Sequence, residues 1–214
     1  MTQDIFILGA GGHGVSVANV AVSAGYRLAG FIDERRAGET VLGADVLPER
    51  AIEDSPLTPL SVAIGANFAR ERVAQALVAR LGGERFPVLV HATASIGIQS
   101  ALGPGTVVMP NATVGPNSRI GAFCIVNTNA SVDHDTVMED FASVAPGAHL
   151  GGNVHLGPRS AVSIGATVRH GVRVGADAVL GGAAYLDRDI GDGVVAWGVP
   201  ARVRRSRVRS DPYL

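Results

Sequence analysis

The chain has no lysine, one cysteine, and aromatic residues at only 5% of its 214 positions. A lone thiol, Cys124, excludes an intrachain disulfide framework and fits a reducing compartment. With 47% hydrophobic residues and few rings, the core must be built from Val, Leu, Ile and Ala, which leans towards a repetitive, thin-walled β architecture. Excess charge of either sign is also missing: the net charge is -1 and the pI about 6.6, so no overall pull towards nucleic acid or an anionic membrane is expected. Arginine supplies every basic residue besides histidine, read first as a codon-composition effect. No apolar stretch approaches the roughly 18 residues of a membrane-spanning helix. The opening "MTQDIFILGAGGHG" has no cationic segment and breaks into glycines after four apolar residues, unlike a signal peptide. These absences lead to the expectation of a soluble, cytoplasmic protein.

What is present falls into two grammars. Over residues 1–88, "DIFILGA", "YRLAGFIDE", "LSVAIGAN" and "RFPVLVH" read as strands. Between them "GGHGVSVANVAVSAG" and "FARERVAQALVARLGG" read as helices ended by glycines. The order predicts a small α/β domain of βαβαβ type with a parallel sheet. "VLPERAIEDSPLTP" is its one irregular stretch.

From Val90 the period changes to six. Ile96 and every sixth residue through Leu186 are aliphatic or Met, sixteen in a row, and the residue four further on is mostly small. At ordinary composition such a run has a chance on the order of one in 10⁴ to 10⁵. A hexapeptide period predicts a parallel β-helix over 89–200, three hexapeptides per triangular turn, with residues 18 apart stacked. Cys124 occupies a small-residue slot and reads as interior packing. Residues 201–214 form a basic C-terminal tail holding Arg202, Arg204, Arg205, Arg207 and Arg209.

Two stretches carry candidate chemistry. Gly9-Ala-Gly11-Gly12-His13-Gly14 satisfies GxGxxG after a strand and before a helix, and Asp33 ends the next strand, as a dinucleotide fingerprint requires. A dehydrogenase is disfavoured because fewer than 90 residues precede the repeat, too few for two mononucleotide-binding halves. The same loop and helix N-terminus can hold a pyrophosphate. His134, two residues after Val132, falls outside the inward positions of its hexapeptide and should project near a corner, flanked by Asp133 and Asp135. An imidazole with a pKa near neutrality suits a general base, and a carboxylate on its other nitrogen would fix the tautomer. The competing reading is a solvated turn histidine between surface aspartates. His149, His155 and His170 read as surface residues without a role.

With "ILGAGGHG", "FIDE", "VAIGAN", the unbroken hexapeptides, "VNTNASVDHD", "PGAHLGGNVHLG", "VLGGAAYL" and "WGVPARVRR", the sequence resembles the hexapeptide-repeat, left-handed β-helix sugar O- and N-acetyltransferases that carry an N-terminal α/β nucleotide-sugar domain. The resemblance covers nearly the whole chain. It implies acetyl-CoA-dependent acetylation of the 4-amino group of a nucleotide-linked 4-amino-4,6-dideoxy sugar, of the bacillosamine-precursor or perosamine kind, in a homotrimer with active sites between neighbouring β-helices. Carried over residue by residue, it implies His134 as base and Asp135 as its orienting acid. It implies Gly11, Gly12, His13, Asp33, Gly65, Asn67 and Asn127 at the nucleotide sugar, and Gly147, Gly152, Ile164, Gly182 and Arg202 at CoA. A backbone N–H, such as that of Gly152, would polarise the thioester carbonyl. Where relatives can carry a second histidine this chain has Ser143, which puts a two-histidine mechanism in doubt. No metal requirement is expected, since no ligand set has a recognisable spacing. Two alternatives stay open: O-acetylation of a sugar hydroxyl, as on sialic acid, and a catalytically silent trimer that binds nucleotide sugars.

Overall fold

In the computed structural model, which describes residues 2–213, the short apolar run Asp4–Leu8 forms strand β1. Helix α1 (Gly12–Ser23), β2 (Arg27–Ile32), β3 (Thr40–Val41), β4 (Ala44–Leu47), α2 (Ala51–Asp54), β5 (Leu60–Val62) and α3 (Asn67–Leu81) follow. The sheet order is β3-β4-β2-β1-β5, parallel except for the β3–β4 hairpin. Because side chains alternate along a strand, Ile5 and Ile7 face α1 while Phe6 faces α3, so the sheet is covered on both sides.

Two expectations for this half need correction. The irregular stretch supplies the end of β4 and all of α2. The last expected strand does not join the α/β sheet: Leu89–Val90 pairs with Val107–Val108 and is the first rung of the repeat.

The hexapeptides build a left-handed β-helix of two-residue strands in three faces. The first face stacks Leu89–Val90, Val107–Val108 and their successors every 18 residues, the second starts at Ser95–Ile96 and the third at Ala101–Leu102. The large aliphatic residue of each hexapeptide fills the prism, buried completely or nearly so from Val108 onward. Small residues sit where the chain turns, and several bond to the next rung. Ser118 Oγ donates to the Asp133 carbonyl at 3.0 Å and the Cys124 thiol to the Glu139 carbonyl at 3.2 Å. Burial pushes the Cys124 thiol up to about 12, so it is an inert packing group.

Each corner needs one residue in the left-handed backbone region. The first-to-second corner uses Asn111, Asn129, Gly147 and Gly165, and the second-to-third uses Asn117, Asp135, Asn153 and Gly171, types that tolerate this conformation. The third-to-first corner uses Phe123 (φ 52°), Phe141 (φ 62°) and Arg159 (φ 58°) in successive rungs before returning to Asp177; elsewhere in the repeat only the outer rungs, at Gln99 and Ala183, depart from Asn, Asp or Gly among the described residues.

That corner is where the α/β domain docks. Phe86 meets Phe123 edge-on at 5.4 Å, and Phe123 stacks on Phe141 at 5.5 Å. Arg159 bridges Glu71 of α3 and Asp177 of the next rung, at 2.9 and 2.8 Å. Strain at the corner is thus offset by contacts with a helix 50 to 100 residues away in sequence.

The expected tail is ordered from its first residue. Ala201–Ser206 pairs antiparallel with Val194–Gly198. Beyond it the chain straps back over α3: the Tyr213 hydroxyl accepts the Asn67 N–H at 2.9 Å, and Arg207 lies over the Tyr213 ring.

Candidate active site

The glycine loop runs from the end of β1 into α1. A Cβ on Gly14 would overlap the Gly9 carbonyl oxygen, so only glycine lets the helix start so close to the strand. Gly11 caps α1 in an extended conformation, and Gly11 and Gly12 are exposed. Asp33 braces this loop, accepting the Ala10 N–H at 3.2 Å and the Arg35 N–H at 3.1 Å. The sheet order reverses between β1 and β5, which places the crevice at their C-terminal ends. There a cavity of about 750 Å³ is lined by Gly9, Ile32, Asp33, Glu49, Ile64 and Arg72, among others. His13, half-buried at the start of α1, is pulled down to about 4 by burial and then by the charge of Arg70, so its ring is neutral at physiological pH. Gly65 accepts from Arg70 through its carbonyl at 2.8 Å.

The Asn67 side chain is turned away from the crevice, into the joint between the domains. It is 1% exposed, and its side-chain amide donates to the carbonyls of Arg159 and Ser160 at 3.0 and 2.9 Å while its oxygen accepts from Arg70. Its polar atoms are spent on joining the two domains.

His134 stands on the second-to-third corner. Its main-chain N–H is capped by the Asp133 carboxylate at 2.8 Å, and its Nδ1 meets Asp135 Oδ2 at 2.7 Å. A carboxylate only accepts, so Nδ1 carries the proton and Nε2 keeps a free lone pair. The Asp135 bond first, and the Asp133 charge second, raise the His134 pKa. The reciprocal bond holds Asp135 low, aided by a hydrogen bond from Asn117 one rung below.

Gly152 stacks on His134. A Cβ there would lie 2.5 Å from Cε1 and Nε2 of the imidazole, so any side chain would displace the ring. Among the described residues the Gly152 N–H has no partner, as is also true of His170 one rung further on the same corner, whereas that of His134 one rung before is capped by Asp133. A free N–H thus sits in the residue that packs on the imidazole.

The remaining residues fall elsewhere. Gly147, Ile164 and Gly182 lie on the first-to-second corner, with Ile164 64% exposed and in van der Waals reach of Gly182. Asn127, at the same corner, accepts the Thr128 N–H. Arg202 pairs with Asp187 at 3.0 Å. Of the other histidines, His149 bonds Ser131 on the second face and His155 bonds Glu139 on the third.

Sequence reading missed Arg70, Glu71 and Arg159. On α3 the first two pass for the solvated side of an amphipathic helix, and the one available signal was the placement of Phe and Arg where a corner calls for Asn or Gly.

A hexapeptide β-helix behind a small α/β domain is the build of an acyltransferase of the hexapeptide-repeat kind, and this one carries an aspartate-held histidine on its wall. The comparisons narrow it. Residues 4–77 match the model of the PglD N-terminal domain, and residues 93–128 that of the bacterial transferase hexapeptide. A mutant of perosamine N-acetyltransferase from Caulobacter crescentus, solved with CoA and GDP-perosamine, is 30% identical over 96% of this chain and 99% of its own, with a TM-score of 0.90. The acetyltransferase domain of PglB from Neisseria gonorrhoeae, solved with acetyl coenzyme A, is 34% identical over 95% of this chain and 100% of its own, with a TM-score of 0.89. WeeI from Acinetobacter baumannii is 25% identical over 95% and 100%, with a TM-score of 0.77. The chain belongs to the hexapeptide-repeat sugar N-acetyltransferases that carry a PglD-type N-terminal domain. No helix among the described residues is long and apolar enough to cross a membrane.

Proposed function

We propose that the protein transfers the acetyl group of acetyl-CoA to the 4-amino group of a nucleotide-linked 4-amino-4,6-dideoxy sugar, a GDP-perosamine-like or UDP-4-amino sugar. The observation that carries the reading is the His134–Asp135 pair at 2.7 Å with Nε2 free. The amine attacks the thioester carbonyl as His134 Nε2 takes its proton. The Gly152 N–H stabilises the oxyanion that forms. Collapse breaks the C–S bond, releasing CoA as its thiol with the proton returned from His134, and leaves an amide. Asp135 holds the imidazole and balances its transient charge. No covalent enzyme intermediate is involved.

The partner is a second and third copy of the chain. Within one copy His134 and Gly152 stand on the second-to-third corner, Gly147, Ile164 and Gly182, also expected at CoA, on the first-to-second corner, and the nucleotide crevice on the α/β domain. A closed ring of three prisms brings the base corner of one against the cofactor corner of the next.

The test is thiol release from acetyl-CoA with a UDP-4-amino sugar, GDP-perosamine and free sialic acid. Turnover with one nucleotide amino sugar is expected. Turnover with sialic acid alone would replace this reading with O-acetylation, and acceptor binding without turnover would replace it with a nucleotide-sugar-binding trimer.

A further inference from the structure

Arg70 is the largest fully buried side chain in the molecule among the described residues, 1% exposed. Its guanidinium is satisfied entirely by neutral oxygens. Nε donates to the Phe123 carbonyl at 2.8 Å, Nη1 to the carbonyls of Ile64 and Gly65 at 2.9 and 2.8 Å, and Nη2 to Asn67 Oδ1 and the Phe141 carbonyl at 2.7 and 2.9 Å. Among the described residues no carboxylate forms an ion pair with it, and the neighbouring Glu71 is turned to Arg159 and Arg209. A buried charge without a counter-charge is costly.

Its position is specific. Two of its acceptors, Ile64 and Gly65, belong to the loop between β5 and α3 that borders the crevice. The N-termini of α1 and α3 meet at the same strand ends and add positive partial charge. Of the acids lining the crevice, Asp33 is engaged by the N–H groups of Ala10 and Arg35, Glu34 by the Glu49 N–H, and Glu49 by Arg80, while Arg36 bonds the Ala10 carbonyl and pairs with Glu39; Arg35 and Arg72 add exposed positive charge at the rim, and Arg70 is the buried one. The field of Arg70 reaches the loop, since its charge is the second cause, after burial, of the low His13 pKa.

We propose that Arg70 is the resident positive charge of the diphosphate site, anchored through neutral oxygens so that the diphosphate of the bound nucleotide sugar is its counter-charge. Arg70 is a positioning residue: it fixes the Gly65 loop against the β-helix and attracts the anion without touching it. The inference rests on the nucleotide-sugar reading above and adds the source of the charge.

Isothermal titration compares UDP and GDP with uridine and guanosine on the full chain, for wild type, Arg70→Lys and Arg70→Met. The diphosphate-to-nucleoside affinity ratio should hold in Arg70→Lys and fall on the order of tenfold in Arg70→Met. Should Arg70→Met not fold, Asn67→Asp places a carboxylate on Nη2 and should lower the ratio in the same way by supplying an internal counter-ion. A ratio unchanged in Arg70→Met, or in Asn67→Asp if that is the variant that folds, overturns the inference alone. Wild-type protein that binds neither UDP nor GDP overturns the nucleotide-sugar reading and this inference with it.

Discussion

His134 depends on groups that a short stretch and two stacked rungs supply: Asp133 caps its backbone, Asp135 holds Nδ1, and Gly152 leaves room for the ring. The tight sequence spacing made Asp135 legible, whereas the Asp133 cap and the packing of Gly152 on the ring became visible only in the structure. Since the base must be unprotonated to act, kcat/KM should rise with pH through a pKa above the ordinary imidazole value. Asp135→Asn removes the group that raises it, so the acid limb should move to lower pH while kcat drops by part of the roughly 10² to 10⁴ that a general base supplies. An unmoved limb in a pH-rate profile would detach Asp135 from His134. Gly152→Ala should lower kcat at least tenfold, on the order of a misplaced base, with the thermal melt little changed. Equal activity would show that the ring need not lie where the structure puts it. Cys124 should resist iodoacetamide in the native protein and react only after unfolding, followed by intact mass.

At the scale of elements, the repeat was the most legible part because a hexapeptide writes its own packing: the inward residue, the small corner residue and the register all lie within one short period. The docking corner was not, because Phe123, Phe141 and Arg159 are stabilised by α3 and by Phe86, which no local pattern connects to them. For the same reason the hydrogen bonds of Asn67 to residues 159 and 160 were not legible. The course of the tail was not legible in its composition: residues 201–206 pair as a strand with Val194–Gly198, and Arg207 and Arg209 lie over Tyr213 and Phe68. Phe141→Ala removes a 6%-exposed ring stacked on Phe123 and should cost about 3–5 kcal/mol of stability, read from urea unfolding. A loss below about 1 kcal/mol, within the usual range of surface changes, would mean that the stack contributes little to domain docking.

At the scale of the whole molecule, the base with Gly152 stands on one corner of the prism, Gly147, Ile164 and Gly182 on another, and the nucleotide crevice on the α/β domain, which is why the account requires neighbouring copies. Light scattering should give a trimer. Co-assembly should also rescue activity: His134→Ala and a Gly182→Trp variant, each inactive alone, should recover a fraction of turnover when mixed as subunits, and no recovery would place the whole site in one copy. The most direct measurement is the rate of thiol release from acetyl-CoA by His134→Ala with the nucleotide amino sugar that wild type accepts, alongside acetyl-CoA binding by the same variant. The account predicts turnover reduced by roughly 10² or more with acetyl-CoA still bound. Near wild-type turnover in His134→Ala would contradict it.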